Sequence, residues 1–236
     1  MRKILPLAVI LILILAVGYF YLSQRPREEL VGSEAIGENA RILTIKTEVK
    51  GVEHTRHDIE YTREERTFRN YFDSKLRPAL AWIKGNAPED AVFLCWWDYG
   101  HMIRGYTERD AVVYSPSKGI METVSSGKWD TSASGDFSTE ERIREVALAL
   151  TARDPKETLD IMKKYRANYV FITAEDSAKS FAIFSSLGYD PSEYLVDWKP
   201  TEKAMETMLF KMLGHERVEG LNLLYSDEFV KIYGLE

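Results

Sequence analysis

The sequence predicts an α/β fold: a single N-terminal transmembrane helix, then a mixed, largely parallel α/β globular domain closed by a C-terminal β-hairpin. Three observations carry this expectation. Residues 4–22 form an uncharged apolar run, and a helix of that length, rising about 1.5 Å per residue, crosses a hydrocarbon core of roughly 30 Å. Two short apolar runs, residues 91–95 (AVFLC) and 169–173 (YVFIT), alternate with stretches of helical periodicity, the pattern of strands buried between helices. Residues 221–225 and 229–233 then read as two paired strands at a sheet edge.

Taken in order, residues 1–24 form the expected anchor. Arg2 and Lys3 precede the apolar run, and Arg25 and Arg27 follow it. Tyr19, Phe20 and Tyr21 stand where a signal peptidase needs small residues, and they suit an interfacial aromatic belt instead. The basic N-terminus favours the inside, so the chain is expected in the cell membrane as a single-pass protein with its globular part extracytoplasmic. Residues 25–66 read as a stalk or edge segment. One half-buried strand is visible there, with Leu43, Ile45, Thr47 and Val49 alternating with Lys46, Glu48 and Lys50. The rest is charged, and a solvated charged segment accounts for His54 and His57 better than a metal site does.

Residues 67–236 form the expected globular domain. Phe68, Tyr71, Phe72, Leu76, Leu80 and Ile83 fit one helix kinked at Pro78 and ending near Gly85. A turn at 86–90 leads into the first strand. A Ser/Thr/Gly-rich loop at 115–138 follows, then a capping box at 138–141 opening a helix with Ile143, Val146, Ala147 and Leu150 inward. Asp154-Pro155 starts another helix, with Leu159, Met162 and Tyr165 on its apolar face. After the second strand, Asp176 caps a helix that Gly188 closes. A last helix after Pro200-Thr201 presents Met205, Met208, Leu209 and Met212.

Composition narrows the function. The 236 residues are 45% hydrophobic and 12% aromatic, enough for a substantial core, and a net charge of −6 disfavours a nucleic-acid partner. Cys95 is the single cysteine, so no internal disulfide forms, and its apolar run makes it a buried thiol.

The chemically distinctive segment is Trp96-Trp97-Asp98-Tyr99-Gly100. Adjacent tryptophans on a regular strand point to opposite faces, so the strand must expose one or turn there. Two indole N–H groups only donate, and a carboxylate only accepts. Together they match a Ser or Thr hydroxyl, which has two lone pairs to fill and one proton to give. This pentapeptide resembles the signature of the catalytic subunit of oligosaccharyltransferases, which transfer a lipid-linked glycan to Asn in Asn-X-Ser/Thr. A second motif of archaeal members, Asp-x-x-Lys-x-x-x-Ile/Met, is matched by Asp176, Lys179 and Ile183, three positions that share one helix face.

The resemblance covers roughly residues 67–190 and concerns only the C-terminal extracytoplasmic domain of that family. It implies that Trp96, Trp97 and Asp98 hold the hydroxyl of an Asn-X-Ser/Thr acceptor peptide. It further implies that Ile183 touches the threonine methyl, that Asp176 and Lys179 fix the helix against the pocket, and that Tyr99 and Gly100 shape the turn. The full-length enzymes use a divalent metal, Mg or Mn, bound by acidic residues on loops between many membrane spans. Those loops have no counterpart in this sequence, so no catalytic residue, metal ligand or cofactor is assigned to it. The implied role is sequon recognition in protein N-glycosylation, beside a full-length oligosaccharyltransferase. A diverged paralogue serving binding or assembly with another ligand is the alternative. An enzyme of unrelated chemistry finds no Gly-x-Ser-x-Gly, HExxH or phosphate loop.

The expected mature protein keeps residues 1–22 and sediments with membranes. Intact-mass measurement checks this, and a mature chain starting near Ser23 would count against the anchor.

Overall fold

The computed structural model describes residues 27–49, 51–125, 137–214 and 217–236. The anchor expected at 4–22 lies outside the described residues, and among those described no helix is long and apolar enough to cross a membrane.

Residues 27–71 are not a stalk. They form a four-stranded antiparallel meander of β1 (Arg27–Ala35), β2 (Ala40–Val49), β3 (Val52–Arg63) and β4 (Arg66–Tyr71), ordered β1-β2-β3-β4. Charge hides this sheet in the sequence because its charged side chains pair across strands, Arg41 with Glu60, Arg56 with Glu28 and Arg69 with the buried Asp58, while Arg56 also reaches Asp58 along β3. The β3–β4 turn is also hard to read. Glu64 and Glu65 take φ of 52° and 62°, a two-residue hairpin geometry usually given to Asn and Gly. One face, with Ala40, Ile42, Ile59, Tyr61 and Phe68, joins the main core.

Phe68 and Tyr71 thus belong to β4 rather than to a helix. A 3₁₀ turn at Ser74–Leu76 leads into α1 (Arg77–Asn86), where Pro78 sits in the first turn. No N–H is needed there, so the proline starts the helix instead of kinking it.

The main sheet has five strands in the order β10-β11-β7-β5-β6. β5 (Val92–Leu94) runs parallel to β6 (Asp110–Ala111) and β7 (Tyr169–Thr173). β10 (Leu221–Ser226) and β11 (Val230–Leu235) form the expected edge hairpin, antiparallel to each other and to β7. Only the β7-β5-β6 side is therefore parallel, a narrower share than the sequence suggested. β8 (Leu195–Val196) and β9 (Lys199–Pro200) make a separate small ribbon.

Around this sheet lie α2 (Trp97–Thr107), α3 (Lys118–Ser125), α4 (Glu140–Thr151), α5 (Pro155–Tyr165), α6 (Asp176–Ser186), α7 (Glu202–Met205) and α8 (Met208–Leu213). α3 falls inside the segment expected to be loop, whose residues 126–136 lie outside the described part. α4 is capped one residue later than expected, by the Thr139 hydroxyl accepting from Arg142 N at 3.2 Å. α5 begins as predicted, with Asp154 accepting from Lys156 N. The expected methionine helix is broken. Met208 N donates to Ala152 O at 2.8 Å, so α7 stops and α8 restarts. Met208, Leu209 and Met212 are buried and Met205 is not. Cys95 is buried as expected.

Gly100 lets α2 lie directly on the chain after β6. A Cβ there would sit 2.0 Å from Val113 O and 2.5 Å from Tyr114 Cα. Gly85, in α1, has nothing within 4 Å of its would-be Cβ. Gly100→Ala should therefore cost about 2–3 kcal/mol through overpacking. Gly85→Ala should gain about 0.5–1 kcal/mol from helix propensity. Urea unfolding of the two variants tests the contrast.

Candidate functional site

β5 ends at Leu94, and the chain passes through Cys95 and Trp96 into α2. This junction resolves the adjacent tryptophans. Trp96, extended at φ −65° and ψ 149°, is the residue before the helix and is 2% exposed. Trp97 is the first helical residue and only partly buried. β7 is the parallel neighbour of β5, and α6 follows it. The two helices that carry the motifs therefore start side by side at the C-terminal edge of the parallel strands, where open α/β sheets place their ligand sites.

The motifs are physically joined. Lys179 Nζ lies 2.8 Å from Asp98 Oδ2 and donates to the Tyr99 hydroxyl at 2.8 Å. The Tyr99 hydroxyl is 2.6 Å from Thr173 Oγ1, and Thr173 N donates to Asp176 Oδ2 at 2.8 Å. Glu175 stands 3.5 Å from the same ammonium. Burial alone would lower the Lys179 pKa, but the carboxylates of Asp98, Asp176 and Glu175 outweigh it and raise it. Burial also lifts Asp98 above the usual carboxylate range, with Lys179 drawing it back. Tyr99 is held far above its ordinary value, chiefly by burial.

Beside this chain opens a cleft of about 540 Å³, walled by Trp96, Trp97, Asp98 and Lys179 on one side and by residues of α3 and α4 on the other. Trp97 and Asp98 line it, and Trp97 Nε1 and Asp98 Oδ1 are buried with no hydrogen-bond partner among the described residues. One is a donor and the other an acceptor.

The remaining sequence-predicted residues take different roles from those expected. Ile183 is fully buried in the core and is not on the cleft wall. Helical phase explains this: Asp176, Ser180 and Ile183 share the core face of α6, whereas Ala178, Lys179, Ala182 and Ser186 turn to the cleft. Asp176 does not cap α6, because its carboxylate turns back to Thr173 N. Tyr99 is a buried tie between the motifs, and Gly100 permits a close approach within a helix rather than a turn. Ile120, Ile143, Phe181 and Trp198 also line the cleft. No motif marks them, since they come from elements scattered along the chain.

Among solved structures, the C-terminal globular domain of an oligosaccharyltransferase from Archaeoglobus fulgidus is similar over 71% of this chain and 100% of its own, with a TM-score of 0.53 and 23% identity. The fold is that of an archaeal oligosaccharyltransferase C-terminal globular domain. A longer Archaeoglobus fulgidus oligosaccharyltransferase, solved with an inhibitory peptide and a dolichol-phosphate, matches 67% of this chain over 23% of its own length. Its TM-score is 0.50 at 15% identity. A stretch of 43 residues is 44% identical to dolichyl-phosphooligosaccharide-protein glycotransferase 2 of Pyrococcus horikoshii. That stretch is 18% of this chain and 6% of the relative's length. No family model matches the chain. The oligosaccharyltransferase-like core thus carries both sequence motifs at one edge of its sheet, and the ion pair between Asp98 and Lys179 connects them.

Burial pushes Asp176 up to about 7, against the opposing pull of the Thr173 N–H and Lys179. The unfolded chain releases this proton near pH 4. The folded state therefore binds it more tightly, and the stabilisation present below pH about 4 is lost as pH rises to about 7. Asp176→Asn keeps an acceptor for Thr173 N and has no titrating proton. Its urea midpoint should be flatter over that range than the parent's, and parallel pH profiles would show the parent slope has another origin.

Proposed function

We propose that the cleft binds the side-chain hydroxyl of Ser or Thr in an Asn-X-Ser/Thr acceptor peptide, as a sequon-reading module in protein N-glycosylation. The observation that supports this reading is that two cleft-lining residues each hold a buried polar atom without a partner, the donor Trp97 Nε1 and the acceptor Asp98 Oδ1. A hydroxyl accepts from the indole and donates its proton to the carboxylate, filling both. Trp96 borders the same wall and supplies a second indole. Lys179 holds the other oxygen of Asp98, which orients that carboxylate and opposes the rise that burial causes in its pKa. Valine in place of threonine leaves the donor and the acceptor dry and unpaired, at about 1–3 kcal/mol each. With Ile183 inside the core, a threonine methyl meets the apolar part of the cleft wall instead, so Thr is only modestly preferred to Ser.

On this reading the domain stands outside the cell membrane on its N-terminal segment and presents acceptor sequences to a full-length oligosaccharyltransferase. Among the described residues no group of three or more His, Cys, Asp or Glu side chains is placed to hold a metal ion, and no role in metal binding or glycan transfer is assigned to this chain. A role in assembly alone has no specific observation in its favour.

Peptides ending the sequon in Thr, Ser or Val, titrated against the protein by NMR, test the proposal. The Thr peptide should bind at about 0.1–1 mM, since few groups are recognised and a flexible peptide must be ordered. Ser should cost about 1 kcal/mol or less, and Val at least tenfold in affinity. Trp97→Phe removes the indole N–H together with part of the ring and should weaken the Thr peptide by about tenfold. Equal binding of the Thr and Val peptides would overturn the assignment.

A further inference from the structure

The cleft is larger than one hydroxyl requires. At about 540 Å³ it continues over Ile120, Ile143 and Ala182 to Phe181 and Trp198, a size in the range of about 300–1,000 Å³ found for ligand sites. Phe181 and Trp198 are 50% and 76% exposed, with ring centroids 6.5 Å apart. Neither is used by the hydroxyl site.

Trp198 is presented there against its backbone preference. Val196 pairs with Lys199 across the β8–β9 ribbon, leaving Asp197 and Trp198 as a two-residue turn with φ of 50° and 62°. That left-handed region suits Gly and Asn and disfavours a bulky side chain. The ribbon is nevertheless firmly seated. Tyr194 stacks on Phe184 of α6 at 3.9 Å, Thr201 N donates to Tyr194 O at 2.9 Å, and Lys203 pairs with Glu193. A fixed, strained turn that points an uncovered tryptophan into a cleft is a feature of binding surfaces rather than of cores.

Resting on the hydroxyl reading above, the geometry points to a second subsite: Phe181 and Trp198 form an aromatic clamp for an apolar, preferably aromatic, side chain of the same acceptor peptide. Rings at this spacing already touch each other, and their joint exposed face accepts a third ring in offset or edge-to-face contact. The position in the peptide follows from strand geometry. In an extended chain alternate residues share a face, about 7 Å apart. The residue two before the hydroxyl is the acceptor Asn itself, so the clamped side chain is the second residue after the Ser or Thr. A peptide fits better than a lipid surface because the rings line a concavity continuous with Trp97 and Asp98, whose walls also carry Glu140, Arg144 and Lys179.

The full-length protein is titrated with Asn-X-Thr-X-Phe, Asn-X-Thr-X-Ala and the Val counterparts of both. The Phe peptide should bind about five- to tenfold more tightly than the Ala peptide. Trp198→Asn, which keeps a residue suited to the left-handed turn and should preserve thermal unfolding, removes that advantage. Phe181→Ala reduces it. Equal binding of Phe and Ala peptides, or a uniform loss for both in Trp198→Asn, overturns the clamp. So does a variant that loses only its association with phosphatidylcholine vesicles, which would assign the rings to a membrane surface. A Phe advantage that persists while Thr and Val bind alike would sustain the clamp and sink the hydroxyl site.

Discussion

The cluster around Lys179 is the interaction on which the site depends. One ammonium, donated by α6, is shared between the carboxylate of Asp98 and the hydroxyl of Tyr99 on α2. It also packs on the face of the Tyr99 ring, 4.4 Å from the centroid. Without this cation two carboxylates, Asp98 and Asp176, would face each other through a buried tyrosine, a costly arrangement in a low-dielectric setting. With it, the starts of the two motif helices are locked in register. One oxygen of Asp98 is consumed by the lock, and the other is left without a partner among the described residues.

The opposite side of α2 is held just as firmly, by the N-terminal sheet. The Tyr61 hydroxyl lies 2.7 Å from His101 Nδ1, and a Cβ on Gly105 would come within 2.8 Å of both the Tyr61 ring and Ile59 Cδ1. The Arg104 guanidinium lies 3.9 Å from the centre of the Tyr114 ring and 3.3 Å from Asp110 through its Nε. α2 thus packs on the meander and is tied to α6 at its first turn. The orientation of Trp97 and Asp98 is inherited from this packing, which is how a site gains precision from rigid elements. Its two small residues, Gly100 and Gly105, mark the points of closest approach.

A tension runs through this arrangement. Buried polar atoms are normally paired, and the unmatched donor of Trp97 and the unmatched acceptor of Asp98 each lower stability. The left-handed turn at Asp197 and Trp198 adds a second local cost at the same cleft. Elsewhere helix starts follow the local rules, as in the capped starts of α4 and α5, although the Glu64-Glu65 turn of the N-terminal sheet carries the same left-handed geometry.

By itself the sequence determined the central strands β5 and β7, the edge hairpin and the start of α5, because apolar runs and a capping Asp-Pro pair are strong local signals. It also determined the residue types of the site, since the chemistry of two indoles and a carboxylate can be read without coordinates. It did not reveal the N-terminal meander, where cross-strand ion pairs put charge on a structured sheet, nor the break between α7 and α8, made by a hydrogen bond to Ala152 distant in the chain. Only the tertiary structure decided that Lys179 and Asp98 form one ion pair and that Ile183 serves the core. It alone gathered Phe181 and Trp198 onto the same cleft. Spacing along a helix says which residues share a face, but packing against the neighbouring sheet decides which face looks inward.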